Sequence, residues 1–596
     1  MTSRVLPARL AILVACVAVV GIAMPRAQQL DAYHVAGWRV RDCLEVKLRE
    51  TSGLRPAGEG LAIVAAEDQA SADRLRALWE RARTVRPLVA APFEVLDALH
   101  RRAVAALPAG ATRPGHLGYW YELHCADAPS AAALLADLLQ EPMVEDAYLK
   151  PVLQLASTAR ANAGVALQDL PPPTPDLSAA QTYKAAPPLG VHSEAARSVF
   201  GARGETVSLY HLEDDWIFEH EDLDSLSAAS FVGRVTGQGS AAANHGTGML
   251  GVTLASRNAY GMTGIADRAR GRMISWALEG GIVNTIHLAI ADGRPGDVIA
   301  IVGGYNLALT KPDDYVPAEY FQSNFDAIRT ATAVGFLFVE AALNGNNDLD
   351  DARFARRFDL SSRDSGAILV GASAGAATTR AAFSNYGSRI DANGWGGDVA
   401  TTGYGDLLWL DNDRRQAYSQ GYAGTSAATA LTTAVIVSLA GAVEQQRGSP
   451  LTPAELRTVL RAHGTPIAHD VGRRPDLVAM LRALSIPDGL EVDRHAIALG
   501  SAFTITMRGS VGGGFALALA LGTARVELGL NRPLHLDPAS LIPIGGFALA
   551  DGTATWNALA PNDPSLRGLD VYFQGLAVAP QGGTPHVSSS VAIWLR

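Results

Sequence analysis

A chain of 596 residues is too long for a single hydrophobic core, and we expect it to fold as two to four domains. Hydrophobic residues make up 48% of the chain and charged residues 18%, a balance that is typical of globular domains and excludes a disordered chain or a membrane bundle. The formal net charge of −10 provides no basic surface of the kind that binds nucleic acid, so no nucleic-acid partner is expected.

The N-terminus has the pattern of a secretory signal peptide. Arg4 and Arg9 precede an apolar run from Leu10 to Met24, and small residues up to Ala27 offer a cleavage site. The run of about 15 residues is short for a membrane span. Residues 1–27 are therefore predicted to be removed as a signal peptide. The remaining protein is expected to have no membrane association and to be secreted or extracellular; the periplasm and the cell surface are the alternative locations.

Residues 34–165 are predicted to form a small α+β domain. Strands are expected at 44–48, 119–123 and 144–153, and helical spacing is found at 69–84, at 93–106 and from Asp127 to Gln140. The β–α–β return indicates an open-faced sandwich. This region holds Cys43 and Cys125, and an oxidising compartment would permit a disulfide between them; two buried free thiols are the alternative, and both stay open.

The next stretch, residues 166–188, is rich in proline, with three consecutive prolines at 171–173 and two more at 187–188. Proline at this density favours an extended chain, because the ring fixes one backbone dihedral and removes a hydrogen-bond donor. We therefore predict an exposed linker that a protease can reach.

Residues 189–486 alternate between strand and helix patterns, which predicts a parallel sheet covered by helices on both faces. Strands are expected at 206–213, 272–277, 297–304, 336–342 and 367–372, and helices at 281–290, 317–334 and 427–443. From residue 489 to 596 the helical period disappears, and short strands between Gly, Pro and Asn turns predict a β-sandwich to which no chemistry is assigned.

Ser426 is the candidate nucleophile. It follows Gly424-Thr425 and precedes a run of small and aliphatic residues that predicts a buried helix. At the head of such a helix the serine N–H is unpaired and the helix dipole is positive, which suits a hydroxyl whose attack creates an oxyanion. A simple N-cap is the ordinary alternative for this serine.

Three further residues complete the set that acyl transfer requires. His245 begins a predicted helix, Asn344 follows a buried strand, and Glu213 ends the first strand of the domain. Each alone has an ordinary structural interpretation. Together they supply a base, an oxyanion donor and an acid at strand ends and helix starts, where a parallel sheet presents its site.

The region 180–486 resembles the subtilase family, the subtilisin-like serine proteases. The resemblance rests on the order and spacing of four motifs, which are His245-Gly246-Thr247, Ala341-Ala342-Leu343-Asn344-Gly345, Phe383-Ser384-Asn385-Tyr386-Gly387 and Gly424-Thr425-Ser426. It implies that Ser426 is the nucleophile, His245 the general base and Asn344 the side-chain oxyanion donor. It also implies that Ile301 to Gly304 pair with a substrate strand.

The resemblance extends to function. It implies a secreted serine endopeptidase that acts on proteins or peptides and is made as a zymogen, with the N-terminal domain as intramolecular chaperone and inhibitor. No cofactor is expected. The acidic loop Asp348-Leu349-Asp350-Asp351 offers a structural calcium site or an ordinary solvated turn, although its spacing fits no complete ligand set.

Three residues depart from the family pattern. The acid is normally an aspartate seven residues before His-Pro-Asp-Leu; the counterpart here is His220-Glu221-Asp222-Leu223, and counting back gives Glu213, with Asp214 and Asp215 as alternatives. Ala430 replaces a proline, and Leu343 replaces a small residue that borders the cleft. These departures motivate an alternative function, a catalytically weakened subtilase-fold protein that binds extracellular protein or a surface polymer.

Overall fold

The structure is a computed structural model that describes residues 39–596 except 53, 58–59, 64–68, 156–172, 237–241, 309, 487–488 and 583. The predicted signal peptide, residues 1–27, lies outside the described residues. Three units follow one another along the chain: an α+β N-terminal domain, a central α/β domain and a C-terminal all-β domain. The predicted fold class is confirmed.

The N-terminal domain is built on an antiparallel sheet. Its strands are β1 (Arg39–Leu48), β2 (Leu54–Ala57), β3 (Gly60–Ile63), β4 (Thr84–Pro87), β5 (Trp120–His124), β6 (Val144–Pro151) and β7 (Leu153–Leu155), and its helices are α1 (Gln69–Trp79), α2 (Phe93–Ala106) and α3 (Ala128–Leu138). The main sheet has the order β4-β5-β1-β6. Leu44, Val46 and Leu48 alternate along β1 into the core beneath α1 and α3.

Cys43 and Cys125 are buried free cysteines on opposite faces of this sheet. Cys43 is the cross-strand partner of His124, so the next residue, Cys125, points to the other face. Cys125 packs in the core with Leu123, whereas Cys43 does not. Since two side chains on opposite faces cannot be bridged without moving the backbone, the disulfide alternative is wrong.

Residues 173–188 pack against the central domain instead of forming an exposed linker. The side chain of Tyr183 is fully buried in the core of that domain. Its hydroxyl donates to the Ala400 carbonyl at 3.0 Å, and the N–H of Leu177 donates to the Gly261 carbonyl at 2.7 Å. The expectation of a free linker is therefore wrong for this part, although half of its residues are exposed. The rest of the predicted linker, 166–172, lies outside the described residues.

The central domain contains strands β8 (Ser208–Glu213), β9 (Arg270–Ser275), β10 (Val298–Ile301), β11 (Gly303–Asn306), β12 (Tyr315–Pro317), β13 (Leu337–Ala341), β14 (Ile368–Ser373), β15 (Ala392–Trp395), β16 (Val399–Thr402), β17 (Leu408–Trp409), β18 (Ala417–Tyr422), β19 (Gly464–Pro466) and β20 (Arg473–Pro475). Its helices are α4 (Ser193–Ala196), α5 (Ala243–Leu254), α6 (Trp276–Glu279), α7 (Ile282–Asp292), α8 (Gln322–Ala333), α9 (Gly424–Arg447), α10 (Pro453–Ala462) and α11 (Leu477–Ala483).

The central sheet has eight strands in the order β19-β20-β15-β14-β13-β10-β8-β9. All neighbours are parallel except the β19–β20 pair. β8 lies between β9 and β10, so the order of the strands reverses there. In such a sheet the crevice at the carboxyl ends of the strands, next to the reversal, is where ligands bind. Glu213 is the last residue of β8.

Both faces of this sheet are buried, because alternate residues of its strands feed two separate cores. Val298 and Ala300 of β10 lie in the core that contains α5 and α9. Ile299 and Ile301 lie in the core that contains α7 and α8. Among the described helices α9 alone is long and apolar enough to cross a membrane, but it is buried throughout inside the protein, the position of a core helix.

The C-terminal domain consists of strands β21 (Leu490–Val492), β22 (Ala496–Ile497), β23 (Ala502–Arg508), β24 (Gly513–Ala520), β25 (Thr523–Val526), β26 (Leu534–Leu536), β27 (Ile542–Leu549), β28 (Thr553–Leu559), β29 (Asp570–Val578), β30 (His586–Val587) and β31 (Val591–Leu595). Sheets β21-β23-β28 and β22-β31-β29-β24-β27 enclose one core. The carboxylate of Asp570 contacts Arg203 and Arg257 of the central domain at 3.2 and 2.7 Å.

Candidate active site

Glu213, His245 and Ser426 meet at the carboxyl end of the central sheet. Nδ1 of His245 lies 2.6 Å from Oε2 of Glu213. On the other side of the ring, Nε2 lies 2.8 Å from the hydroxyl oxygen of Ser426. All three side chains are buried. The three residues are widely separated in the sequence, and the fold joins them in one hydrogen-bonded chain.

Of the three predicted candidates for the acid, only Glu213 is placed against His245. Its second oxygen, Oε1, accepts the backbone N–H of Asp214 at 2.9 Å, which fixes the carboxylate. Asp215 accepts the N–H of Trp216 and thus stays with its own loop. Burial, with the neighbouring charges of Glu213 and Asp215, raises the pKa of Asp214 to about 6.

The His245-Gly246-Thr247 motif has a separate structural reason at each position. His245 lies in the first turn of α5. A Cβ on Gly246 would lie 2.3 Å from the carbonyl oxygen of Asp215, so the loop after β8 can approach the helix only if this residue is glycine. The hydroxyl of Thr247 accepts the N–H of Ile217 at 2.8 Å. Gly246 and Thr247 therefore fix the distance between the end of β8 and α5. Because Glu213 ends β8 and His245 lies in α5, they also fix the distance between these two residues.

Ser426 lies in the first turn of α9. The N-cap is Ala423, which makes no side-chain capping bond, so the N-cap alternative for Ser426 is wrong. Gly424 has φ +89°, a conformation that favours glycine, and its N–H donates to the Gly396 carbonyl at 3.0 Å. Ala430, where a proline was expected, lies inside the helix and leaves the serine hydroxyl within hydrogen-bond distance of His245.

Asn344 lies directly beside the start of α9. Its Oδ1 accepts the backbone N–H and the hydroxyl of Thr425, each at 3.0 Å. Because the two ends of a carboxamide point in opposite directions, these bonds turn Nδ2 away from Thr425. The amide is thus oriented by the residue that precedes Ser426.

Leu343 has a strained backbone. Its φ is +72°, in the left-handed region that costs most residues roughly 1–2 kcal/mol. The side chain is fully buried and packs with Ala341 and Tyr315. A Cβ built on Gly304 would lie 2.7 Å from Leu343 Cδ2, so the leucine fills the space directly beneath β11.

Asn385 belongs to one of the predicted motifs, but no individual role was predicted for it. Its Oδ1 accepts the N–H of Asn347 at 2.8 Å, and its Nδ2 donates to the Ala342 carbonyl at 2.6 Å. Its own N–H donates to the Leu343 carbonyl. Asn385 therefore fixes the loop that carries Asn344. The signal in the sequence that points to this loop is the Phe383-Ser384-Asn385-Tyr386-Gly387 motif.

A neutral second histidine lies beneath the site. Burial and the proximity of His245 lower the pKa of His211 to about 3. Its Nδ1 accepts the indole N–H of Trp216 at 2.9 Å. His211 thus adds no charge next to the Glu213–His245 pair.

The last strand of the N-terminal domain pairs with a strand whose Gly304 lies next to the side chain of Leu343, the residue before Asn344. β7 pairs antiparallel with β11, with Leu155 opposite Gly303 and Leu153 opposite Tyr305. The substrate-pairing segment predicted at Ile301 to Gly304 is split between two strands in the structure. Ile301 ends β10 within the parallel sheet, and Gly303 begins β11, which pairs with β7.

The acidic loop at 348–351 uses its carboxylates for its own hydrogen bonds. Asp350 accepts the N–H and the hydroxyl of Ser388, at 2.8 and 2.7 Å. Asp348 accepts the N–H of Asp350 at 3.0 Å, and Asp351 that of Arg353 at 2.9 Å. A structural calcium at this loop remains a prediction.

Residues 225–463 match the model of the subtilase family. No curated protein matches the chain. Among solved structures, fervidolysin from Fervidobacterium pennivorans, a keratinolytic enzyme related to subtilisin, is 14% identical, with 94% of each chain covered and a TM-score of 0.46. The serine protease of Aeromonas sobria is 15% identical and covers 73% of this chain and 95% of its own, with a TM-score of 0.39. A protease from Pseudoalteromonas arctica PAMC 21717 is 20% identical, and the match covers 52% of this chain and 99% of the Pseudoalteromonas chain, with a TM-score of 0.38.

Proposed function

Because residues 225–463 place this chain in the subtilase family and it is accordingly a serine protease, we propose that it is a secreted endopeptidase that cleaves peptide bonds through an acyl-enzyme on Ser426. The observation that carries the proposal is the hydrogen-bonded chain from Glu213 through His245 to Ser426. The family match begins after Glu213, so the role of this acid rests on its contact with His245.

His245 takes the hydroxyl proton of Ser426 as the oxygen attacks the substrate carbonyl, and Glu213 stabilises the imidazolium that forms. The negative charge that develops on the carbonyl oxygen is met by the N–H of Ser426 and Nδ2 of Asn344. His245 then gives its proton to the leaving amine, and the peptide bond breaks. Water, deprotonated by the same histidine, attacks the ester, and the carboxylic acid product leaves with Ser426 restored.

The substrate in this proposal is an extended peptide that pairs with β11. β7 shows the geometry, since three of its residues already occupy the exposed edge of β11. Backbone pairing of this kind holds a strand irrespective of its side chains and suits cleavage within protein chains. This supports an endopeptidase.

The N-terminal domain acts in this proposal as an inhibitor and folding template that is later removed. With β7 on β11, an incoming substrate strand is excluded. A buried interface supports the same position: Asp326 of α8 accepts the N–H of Gly115 at 2.9 Å and the indole N–H of Trp120 at 3.1 Å, and it lies 3.1 Å from Nζ of Lys47. The signal peptide predicted at residues 1–27 is consistent with export of such a zymogen.

Casein turnover tests the proposal. After cleavage and removal of the N-terminal domain, wild-type protein is expected to release internal casein fragments, and the Ser426→Ala protein none. A wild-type protein that binds casein or a surface polymer without cutting it would overturn the proposal in favour of the catalytically weakened alternative. Cleavage that persists in Ser426→Ala would show that the nucleophile is misassigned.

A further inference from the structure

Three side chains with metal-binding chemistry lie together on the N-terminal domain, away from the candidate active site. Cys43 of β1 and His124 of β5 are cross-strand partners, and Glu122 lies two residues before His124 on the same face. Nε2 of His124 is 3.8 Å from Sγ of Cys43 and 3.5 Å from Oε2 of Glu122. Within the described part of the chain this is the one group of three His, Cys, Asp or Glu residues with such spacing.

These separations resemble the edges of a zinc coordination tetrahedron. Zinc binds thiolate sulfur at about 2.3 Å, imidazole nitrogen at about 2.0–2.1 Å and carboxylate oxygen at about 2.0–2.2 Å, so tetrahedral ligands lie about 3.3–3.6 Å apart. The His124–Glu122 distance falls within this range and the His124–Cys43 distance exceeds it by about 0.2 Å, while all three ligand atoms lie within 4.8 Å of one another. Thiolate, imidazole and carboxylate together favour zinc or a similar transition metal over calcium or magnesium.

The cluster borders a cavity that admits a metal ion and a fourth ligand. The cavity has a volume of about 330 Å³ and lies between the N-terminal and central domains. Cys43 and His124 line one side, and Trp276 and Tyr305 of the central domain line another. A water in this cavity can complete the coordination of a metal held by three protein ligands.

Two cations compete for Glu122. Lys150 contacts its Oε1, and Arg86 lies 2.5 Å from its Oε2. A metal on Oε2, the oxygen that faces His124, must displace Arg86, and the charge of Lys150 on the other oxygen opposes a second cation nearby. Both effects limit the affinity. Because a metal binds the thiolate form of cysteine, the sulfur must release its proton when a metal binds.

We propose that Cys43, Glu122 and His124 form a binding site for Zn²⁺ or a similar divalent transition metal in the N-terminal domain. On binding, the Cys43 S–H bond breaks, its proton passes to solvent and a sulfur–metal bond forms with no change in oxidation state. The site is separate from Ser426, and the proposal does not depend on proteolytic activity.

The test is a Co²⁺ titration of the full-length chain carrying Ser426→Ala, which prevents self-cleavage. One Co²⁺ per chain is expected to bind, with thiolate-to-cobalt charge-transfer absorption and the release of one proton, and Zn²⁺ should abolish the absorption. Cys43→Ser should remove the thiolate absorption. Cys125→Ser is the matched control, because it replaces a buried cysteine on the opposite face of the same sheet, and it should leave the absorption unchanged.

A variant that is expected to bind metal more tightly cannot be mistaken for a variant that has lost binding because it is unfolded. Lys150→Met removes one of the two competing cations and should tighten Co²⁺ binding about 10–100-fold, a range typical of changes next to a metal ligand. Circular dichroism of each variant shows whether the domain is folded. Absence of thiolate absorption in the parent chain, its persistence in Cys43→Ser, or unchanged or weaker binding in a folded Lys150→Met protein would overturn the proposal.

Discussion

Oε2 of Glu213 lies 2.6 Å from Nδ1 of His245, and Glu213 is the last residue of a central strand of the sheet. A glutamate reaches one methylene further than an aspartate, so the strand end that carries it must lie correspondingly further from the histidine. The N–H of Asp214 holds the other carboxylate oxygen, which restricts the longer side chain to one orientation. The site therefore accommodates a glutamate by backbone placement and by this hydrogen bond.

Glu213→Gln is expected to lower kcat by roughly 10⁴, because an amide no longer stabilises the imidazolium and selects the wrong histidine tautomer. Glu213→Asp should also lose most activity, since shortening by about 1.5 Å leaves a gap of about 4 Å to Nδ1, beyond hydrogen-bond reach. Steady-state kinetics on a peptide substrate measures both. Asp214→Asn is the control and should stay within a few-fold of wild type; a large loss there together with an active Glu213→Gln would assign the acid to Asp214.

Asn344→Ala is expected to lower kcat about 10²–10³-fold with little change in KM, because the donor acts on charge that develops in the transition state. This is the magnitude found for a side-chain oxyanion donor in a subtilisin-like protease. Thr425→Val provides a graded companion. It removes one of the two bonds that orient Asn344, so its loss should be smaller. A rise in KM at constant kcat for Asn344→Ala would contradict the oxyanion role.

Leu343→Gly is expected to be more stable than Leu343→Ala by roughly 0.5–1 kcal/mol, the reverse of the usual order. Both variants lose the buried leucine side chain, which costs about 2–5 kcal/mol. Only glycine escapes the penalty of φ +72°. The apparent Tm of each protein in a Ser426→Ala background measures the order. An alanine variant as stable as the glycine variant would show that the backbone at 343 relaxes.

Asp326→Ala is expected to speed release of the cleaved N-terminal domain. Removing a buried carboxylate that accepts several hydrogen bonds across an interface lowers the binding free energy by about 2 kcal/mol or more. This corresponds to a roughly 30-fold faster dissociation rate. The delay between chain cleavage and full activity measures this rate. Asp292→Ala, which removes an acid paired with Arg272 outside this interface, is the control. An unchanged delay in Asp326→Ala would mean that β7 alone holds the domain.

The fold and the meeting of His245 with Ser426 were predictable because they depend on local patterns. Strand and helix periods define the doubly wound sheet, and motifs at strand ends converge wherever such a sheet forms. Counting back from His220 in the sequence favours Glu213 over Asp214 as the acid. In the structure Glu213 is the last residue of β8, and its side chain, unlike that of Asp214, is directed to His245.

The remaining differences arise from long-range contacts that local patterns do not encode. The single strand expected at 297–304 changes partners near Val302, where the chain leaves the parallel sheet to pair with β7 and β12. The helix expected at 69–84 ends at Trp79, because Thr84–Pro87 pairs with β5 as an edge strand. Proline density suggested an exposed segment, yet burial of Tyr183 fixes residues 173–188 on the central domain.

Labelling with a fluorophosphonate probe, followed by mass spectrometry of the digested protein, shows directly whether Ser426 is the nucleophile. After the N-terminal domain has been removed, we expect one modified serine, Ser426, and no modification in His245→Ala. An unlabelled wild-type protein, or a label on another serine while Ser426 stays unmodified, would contradict it.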